Sequence, residues 1–383
     1  MASKASTSKA STSKARTSKA AKKPWSFLAY IAADNNLSDY GLIDIQELCD
    51  AGTNKNVHAA VQIDTEGEHD GSIRYEISAP DFEGNSHRTV IARLAESDSG
   101  NPRVLKNFVS WGLKRYSADK RLLVVWNHGS GFRQPGRARR RDIAFDDFGT
   151  SLDMPEVTDA LSRAGITPAR KLSILGFDAC LMNMLEVADH FSGHADFLVG
   201  SQQTEPGDGW PYNQVLSGMQ GNPSALALAQ HIVSRYIASY KRDGQANVTQ
   251  SAIDLSKTGA AVKAYGSFGK ALKATLPGSR QKVRNLRRIV QSYEYADYVD
   301  AVHLARLAKS LVTAAVSTAT AAAVKAAVAA NGKYGPSVQD SNGLSIWFPT
   351  SANQYEQYRA KYLQLKCNQG KNGWIDFLDA YFA

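Results

Sequence analysis

The 383-residue chain has no run of about eighteen apolar residues, and its amino-terminal stretch lacks the roughly 7 to 15 apolar residues that a secretory signal carries behind its charges. No membrane span and no standard export are expected, which leaves the cytoplasm as the default compartment. Cysteine is scarce. Cys49, Cys180 and Cys367 are an odd number at wide spacings, which argues against a disulfide framework and against a zinc site. A reducing or thiol-tolerant setting fits, and there an isolated cysteine is ordinarily inert core filling unless its surroundings overturn that. Residues 1–23 lack acids, aromatics and any large apolar side chain beyond Met1. They repeat Ser, Thr, Ala and Lys, so nothing in them offsets the entropy of ordering, and a disordered basic leader is expected. Without aromatics for base stacking, nucleic acid is not an expected partner except through that leader.

The formal charge of +9 is concentrated in the same segment. Lys4, Lys9, Lys14, Arg16, Lys19, Lys22 and Lys23 account for seven of the nine, leaving a nearly neutral body. That body, residues 24–383, is rich enough in apolar residues to bury a large core, and we read it as a single domain. Short apolar runs alternate with helical patterns, the signature of an α/β fold with a mostly parallel sheet. Strands are predicted at residues 25–32, 57–64, 121–126, 171–177, 197–201, 248–255 and 343–348, with a shorter pair at 72–79 and 89–94. Helices are predicted at 39–50, 106–116, 152–164, 181–190, 257–274, 281–290, 301–330 and 374–382.

In open parallel sheets, ligands bind beyond the carboxyl ends of the strands. Two strongly apolar strands end in reactive residues, one in Asn127-His-Gly-Ser-Gly131 and the other in Asp178-Ala-Cys180. A thiol becomes thiolate near neutral pH when an imidazole and the positive end of a helix lie beside it. Cys180 sits where a strand is expected to pass into a helix, and His128 lies on a loop whose glycines permit close approach to a substrate. The pair is the candidate nucleophile and base, with the amides of Gly129 and Cys180 as the candidate oxyanion hole. His190 and His194 have i, i+4 spacing, but no Glu or Cys beside them completes a metal site. Ser130 lies in Gly-Ser-Gly without the Gly-x-Ser-x-Gly elbow of a serine nucleophile.

The motifs around this pair resemble the clostripain-like cysteine peptidases, which share a caspase-like fold with gingipains, legumains and separases. The resemblance rests on Tyr30-Ile-Ala-Ala-Asp-Asn-Asn-Leu37, Trp126-Asn-His-Gly-Ser-Gly131, Leu175-Gly-Phe-Asp-Ala-Cys-Leu-Met182, Glu205-Pro-Gly-Asp-Gly-Trp-Pro-Tyr212 and Gly343-Leu-Ser-Ile-Trp-Phe-Pro349, in that order. It implies a caspase-like α/β/α sandwich with additional C-terminal helices, a His128–Cys180 dyad and an endopeptidase that cuts protein or peptide substrates after Arg or Lys. A basic side chain stripped of water requires a carboxylate. Asp208 in the glycine-rich turn is the first candidate for that role and Asp178 beside the nucleophile the second.

The resemblance also implies activation by self-cleavage in the segment Arg133-Gln-Pro-Gly-Arg-Ala-Arg-Arg-Arg141-Asp142. Arg141-Asp142 is the expected site, with Arg139 and Arg140 as alternatives. No acid cluster has the spacing of a calcium loop, so the residues themselves call for no cofactor or metal, while some clostripain relatives depend on calcium. A monomer is expected. The rival reading is a caspase-like scaffold that binds basic peptides without cutting them, and the presence of both dyad residues weighs against it.

Overall fold

The computed structural model describes residues 20–66, 71–133, 143–147, 149–369 and 372–383. The chain alternates β1 (Ala20–Ala33), α1 (Ser38–Ala51), β2 (Val57–Thr65), β3 (Ile73–Ile77), β4 (Arg88–Arg93), α2 (Pro102–Arg115), β5 (Tyr116–Trp126), α3 (Met154–Arg163), β6 (Leu172–Asp178), α4 (Leu185–His190) and β7 (Ala195–Gly200). It continues with α5 (Tyr212–Gln220), α6 (Ala225–Arg242), β8 (Val248–Asp254), α7 (Thr258–Ile289), β9 (Tyr298–Asp300), α8 (Ala301–Leu307), α9 (Ala314–Ala327), β10 (Val328–Tyr334), β11 (Ser345–Trp347), α10 (Ala352–Tyr362) and α11 (Gly373–Phe382).

Nine strands form one sheet in the order β10-β8-β7-β6-β5-β1-β2-β3-β4. Its five central strands, from β7 to β2, run parallel, and antiparallel strands close both edges. Helices cover both faces, so the central strands are apolar along nearly their whole length. Alternation still sorts the side chains: Leu28, Tyr30 and Ala32 of β1 join the core under α2, α3 and α7, while Phe27, Ala29 and Ile31 join the core under α1, α5 and α6. β9 and β11 pair in a separate two-stranded ribbon. The mostly parallel sheet flanked by helices is the architecture the sequence pattern predicts.

Several boundaries differ from expectation for identifiable reasons. Ala20–Lys23, assigned to the leader by composition, are strand: they pair with β5, and Lys23 Nζ donates to the carbonyls of Asn54 and Val57. The two helices predicted at 257–274 and 281–290 are one helix, α7, running through Pro277. There the Ser279 hydroxyl bonds the Thr275 carbonyl at 2.7 Å, and Arg280 donates to the carbonyls of Ala380 and Tyr381 on α11. The long helix predicted at 301–330 breaks into α8, α9 and strand β10. Pairing with β8 overrides the alanine-rich propensity, and Gly332 lies so close beneath α6 that a Cβ there would sit 2.5 Å from Ile237. The strand predicted at 343–348 shortens to β11 and belongs to the ribbon. α5 and α6 had no counterpart in the sequence reading.

Candidate active site

The chain winds from β1 to β2 in one direction and returns to place β5 on the other side of β1, so the topological switch lies at the carboxyl ends of β1 and β5. Asn35 and Asn127 stitch these ends together, both donating to the carbonyls of Ala32 and Phe145. The Asn127 side-chain oxygen accepts the backbone N–H of His128. His128 is half-buried, and its Nε2 lies 3.0 Å from Oδ1 of Asn36.

Cys180 arrives from the next strand. β5 and β6 pair in parallel with Trp126 opposite Asp178, and the Asn127 N–H continues the ladder to the Asp178 carbonyl. His128 and Cys180 each lie two residues beyond that matched pair. Gly129 rests on the Cys180 backbone: a Cβ at Gly129 would stand 2.3 Å from the Cys180 carbonyl oxygen and 2.9 Å from its nitrogen. Glycine is required there because the loops meet backbone to backbone.

The expected helix N-terminus at Cys180 is absent. α4 begins at Leu185, and Leu181 takes a left-handed φ of 65°. Leu181 N–H instead bonds Gln203 O and Asn183 N–H bonds Ser201 O, which holds this turn away from helical geometry. The sulfur receives its field from another source. The Glu205 N–H donates to Cys180 Sγ at 3.2 Å, and the Glu205 carbonyl lies 3.8 Å from the same sulfur. The amide favours the thiolate and the carbonyl accepts from the thiol, so both protonation states have a partner.

Beneath the sulfur is a nest of buried carboxyls. Asp178 Oδ2 accepts from Tyr212 Oη at 2.7 Å and from the Trp210 N–H at 3.1 Å. Burial pushes its carboxyl up, while the hydrogen bonds from Tyr212 and Trp210 restrain the rise. Glu205 is pushed well above the ordinary range by burial and by the charge of Asp178, so Glu205 is the member of the pair that holds the proton. Asp44, buried on α1, is pushed up by burial and again by Asp178. Carboxyls crowded into one dry space cannot all ionise together.

The sequence-derived candidates therefore separate. His128, Gly129, Cys180 and Asp178 converge. Asp208 is exposed at the rim, where its carboxylate accepts from Gln245 Nε2 at 3.0 Å. Arg139, Arg140, Arg141 and Asp142, the candidate cleavage sites, lie outside the described residues. Cys49 and Cys367 pack against the cores, and burial raises both thiols. Ser130 is buried and its hydroxyl donates to the Arg133 carbonyl. Among the described residues no group of three or more His, Cys, Asp or Glu is arranged to hold a metal ion. Asn36, Asp44 and Glu205 were not singled out from the sequence, although Asn36 and Glu205 lie inside motifs that were.

Three comparisons bear on this geometry. The family model described as the clostripain family matches residues 29–381. Clostripain of Hathewaya histolytica is 30% identical over 217 residues, covering 50% of this chain and 41% of that protein. This chain thus spans less than half the length of that relative. In structure, the chain is similar to a secreted C11 cysteine protease from Bacteroides thetaiotaomicron in complex with an irreversible peptide inhibitor (TM-score 0.71, 21% identity, 90% of this chain and 99% of that one). It is likewise similar to an inactive zymogen C11 protease from Parabacteroides distasonis (TM-score 0.72, 19% identity, 90% and 97%). At these identities the likeness establishes the fold.

Proposed function

The chain belongs to the clostripain family, and from that premise we propose that it is a cysteine endopeptidase cutting after arginine or lysine. The observation that carries the reading is the register of β5 and β6, which delivers His128 and Cys180 to adjoining loops with Gly129 on the Cys180 backbone. In this mechanism His128 takes the thiol proton and the Cys180 thiolate attacks the carbonyl carbon after the basic residue. The amides of Gly129 and Cys180 receive the oxyanion, and the imidazolium returns the proton to the leaving amine. Water activated by His128 then opens the thioester and releases the acid product.

The buried carboxyl nest supports a basic P1 residue, since a guanidinium or ammonium ion would displace the proton that Glu205 holds and pair with Asp178. Self-cleavage after Arg141 belongs to the same reading, supported by the arginine-rich composition of residues 133–142 and by the likeness to a protein described as a zymogen. The test is hydrolysis of fluorogenic peptides ending in Arg, Lys or Asp by the parent and by Cys180→Ala, with both samples run on a denaturing gel. Arg and Lys cleavage by the parent alone, with two fragments split near residue 141 that the variant does not make, is the expected result. Equal cleavage by both proteins would sink the cysteine assignment. No cleavage by either, with and without calcium and reductant, would favour a scaffold that binds basic peptides.

A further inference from the structure

The segment that follows His128 is held at its far end by a charged side chain in an unusual setting. Arg133 is 7% exposed, and its Nη1 lies 3.1 Å from Oδ2 of Asp297, which is 1% exposed. Three tyrosines wall the guanidinium: its carbon lies 4.0 Å from the ring centre of Tyr295, 4.9 Å from that of Tyr358 and 5.0 Å from that of Tyr298. Asp297 Oδ2 also accepts from Trp347 Nε1 at 2.7 Å, so the carboxylate is itself held in place.

Every residue between His128 and Arg133 is tied down as well. Gly129 lies on Cys180. Ser130 receives the Tyr298 hydroxyl on its carbonyl at 2.6 Å. Gly131 takes a left-handed φ of 66°, with Met184 Sδ and Tyr298 Oη too close to admit a Cβ. Phe132 packs on Trp347 and Tyr362 at centroid distances of 5.2 and 5.0 Å. The loop thus runs from the proposed base to a cage built by β9 and its flanks, β11 and α10.

Stability alone does not account for an ion here. Removing a guanidinium and a carboxylate from water costs several kcal/mol each, and apolar groups of similar volume commonly fill such a space at no loss. The cage even leaves the Arg133 Nε–H buried without a hydrogen-bond acceptor. What a forked, planar cation between an anchored carboxylate and three ring faces supplies, and a flexible methionine does not, is one fixed position.

We propose that Arg133 is a positioning residue: clamped by Asp297, Tyr295, Tyr298 and Tyr358, it fixes the far end of the His128 loop and so holds the imidazole and the Gly129 amide in working position against Cys180. The proposal rests on the peptidase reading above. It requires that loosening the cage impair proton transfer and thiolate formation more than substrate binding, because the Arg133 guanidinium is engaged by Asp297 and the tyrosines.

The experiment compares the parent with Arg133→Met, Arg133→Lys and Tyr295→Leu. Two quantities are measured: kcat and KM on a P1-arginine peptide, and the pH dependence of Cys180 alkylation by iodoacetamide, with the modified cysteine assigned by mass spectrometry. In Arg133→Met we expect kcat to fall about a hundredfold, the loss typical of a small misplacement of a reacting group, with KM little changed. We also expect the alkylation midpoint to rise toward the ordinary thiol value of about 8.5. Arg133→Lys, which keeps the charge beside Asp297, recovers part of both. A folded Arg133→Met protein with parental kcat and parental alkylation midpoint would overturn the proposal. If that variant does not fold, Tyr295→Leu, which removes the nearest ring and spares the ion pair, decides by the same two readouts. A parent that cleaves nothing and alkylates as an ordinary thiol removes the peptidase reading itself. A parent with a lowered thiol midpoint, matched by all the variants, removes only the role of Arg133.

Discussion

Asn36 and His128 are joined across the switch between β1 and β5, with Asn36 Oδ1 accepting from His128 Nε2 at 3.0 Å. With Nε2 as donor, Nδ1 is the basic nitrogen of the ring, so Asn36 sets both the tautomer and the rotation of the proposed base. Asn36→Ala is expected to lower kcat by up to about a hundredfold. Because Asn36 is exposed, the melting temperature is expected to stay near that of the parent. The kinetic loss is measured on a P1-arginine peptide, and unchanged turnover would remove Asn36 from the site.

Gly129→Ala tests the contact between the two loops. A methyl group at this position would overlap the Cys180 carbonyl, so the backbone must separate and the two amides cannot both face one oxygen. Loss of one oxyanion donor ordinarily costs about 100- to 1,000-fold in kcat. A fall of that size, with Cys180 still alkylated by iodoacetamide, is the expected outcome, and parental turnover would exclude the Gly129 amide from the mechanism.

The parallel sheet was legible in the sequence because buried strands such as Leu122–Trp126 and Leu172–Phe177 are largely apolar runs bounded by polar turns. The positions of His128 and Cys180 followed from the rule that strand ends carry chemistry. What sets the thiol was not legible. The pattern after Cys180 reads as helix, yet Leu181 and Asn183 bond to residues 203 and 201, a long-range pairing that leaves no local signature. β10 was lost the same way, because Val328-Ala-Ala330 has helical composition and becomes strand only where β8 offers an open edge. Asp208 drew attention through its glycine-rich turn, but a turn places a side chain outward as readily as inward, and here it faces solvent. Arg133 read as part of a basic loop, since nothing near it in sequence announces Asp297 and three tyrosines.

The two candidate carboxylates predict opposite outcomes. Asp178 is buried against Tyr212 and Trp210, whereas Asp208 is exposed on Gln245. Unpairing a buried cation costs about 3 to 5 kcal/mol, or roughly two to four decades in rate, while a solvated pair contributes about 1 kcal/mol or less. Asp178→Asn should therefore reduce kcat/KM on P1-arginine peptides by about 150- to 5,000-fold, and Asp208→Asn by less than about fivefold. The reverse order would move the recognition of the basic residue to the rim.

A last prediction concerns stability rather than turnover. Asp64, at the end of β2, accepts from Ser99 Oγ at 2.9 Å, and burial pushes its carboxyl up to about 7, with nearby Glu96 and Asp146 adding to the rise. In the unfolded chain the same group titrates near its ordinary value of about 3.9. Between these values the folded protein keeps a proton that the unfolded chain has released, so each rise in pH weakens the fold until Asp64 ionises near 7. Below about 4 both states are protonated and the group is silent. Asp64→Asn keeps an acceptor for Ser99 and removes the titration. The variant is expected to match the parent at pH 4 and to exceed it at pH 8 by on the order of 2 kcal/mol, about half of the full displacement because solvent screens part of it. Urea melts at the two pH values measure the difference, and a gap that does not widen with pH would show that Asp64 is ionised throughout.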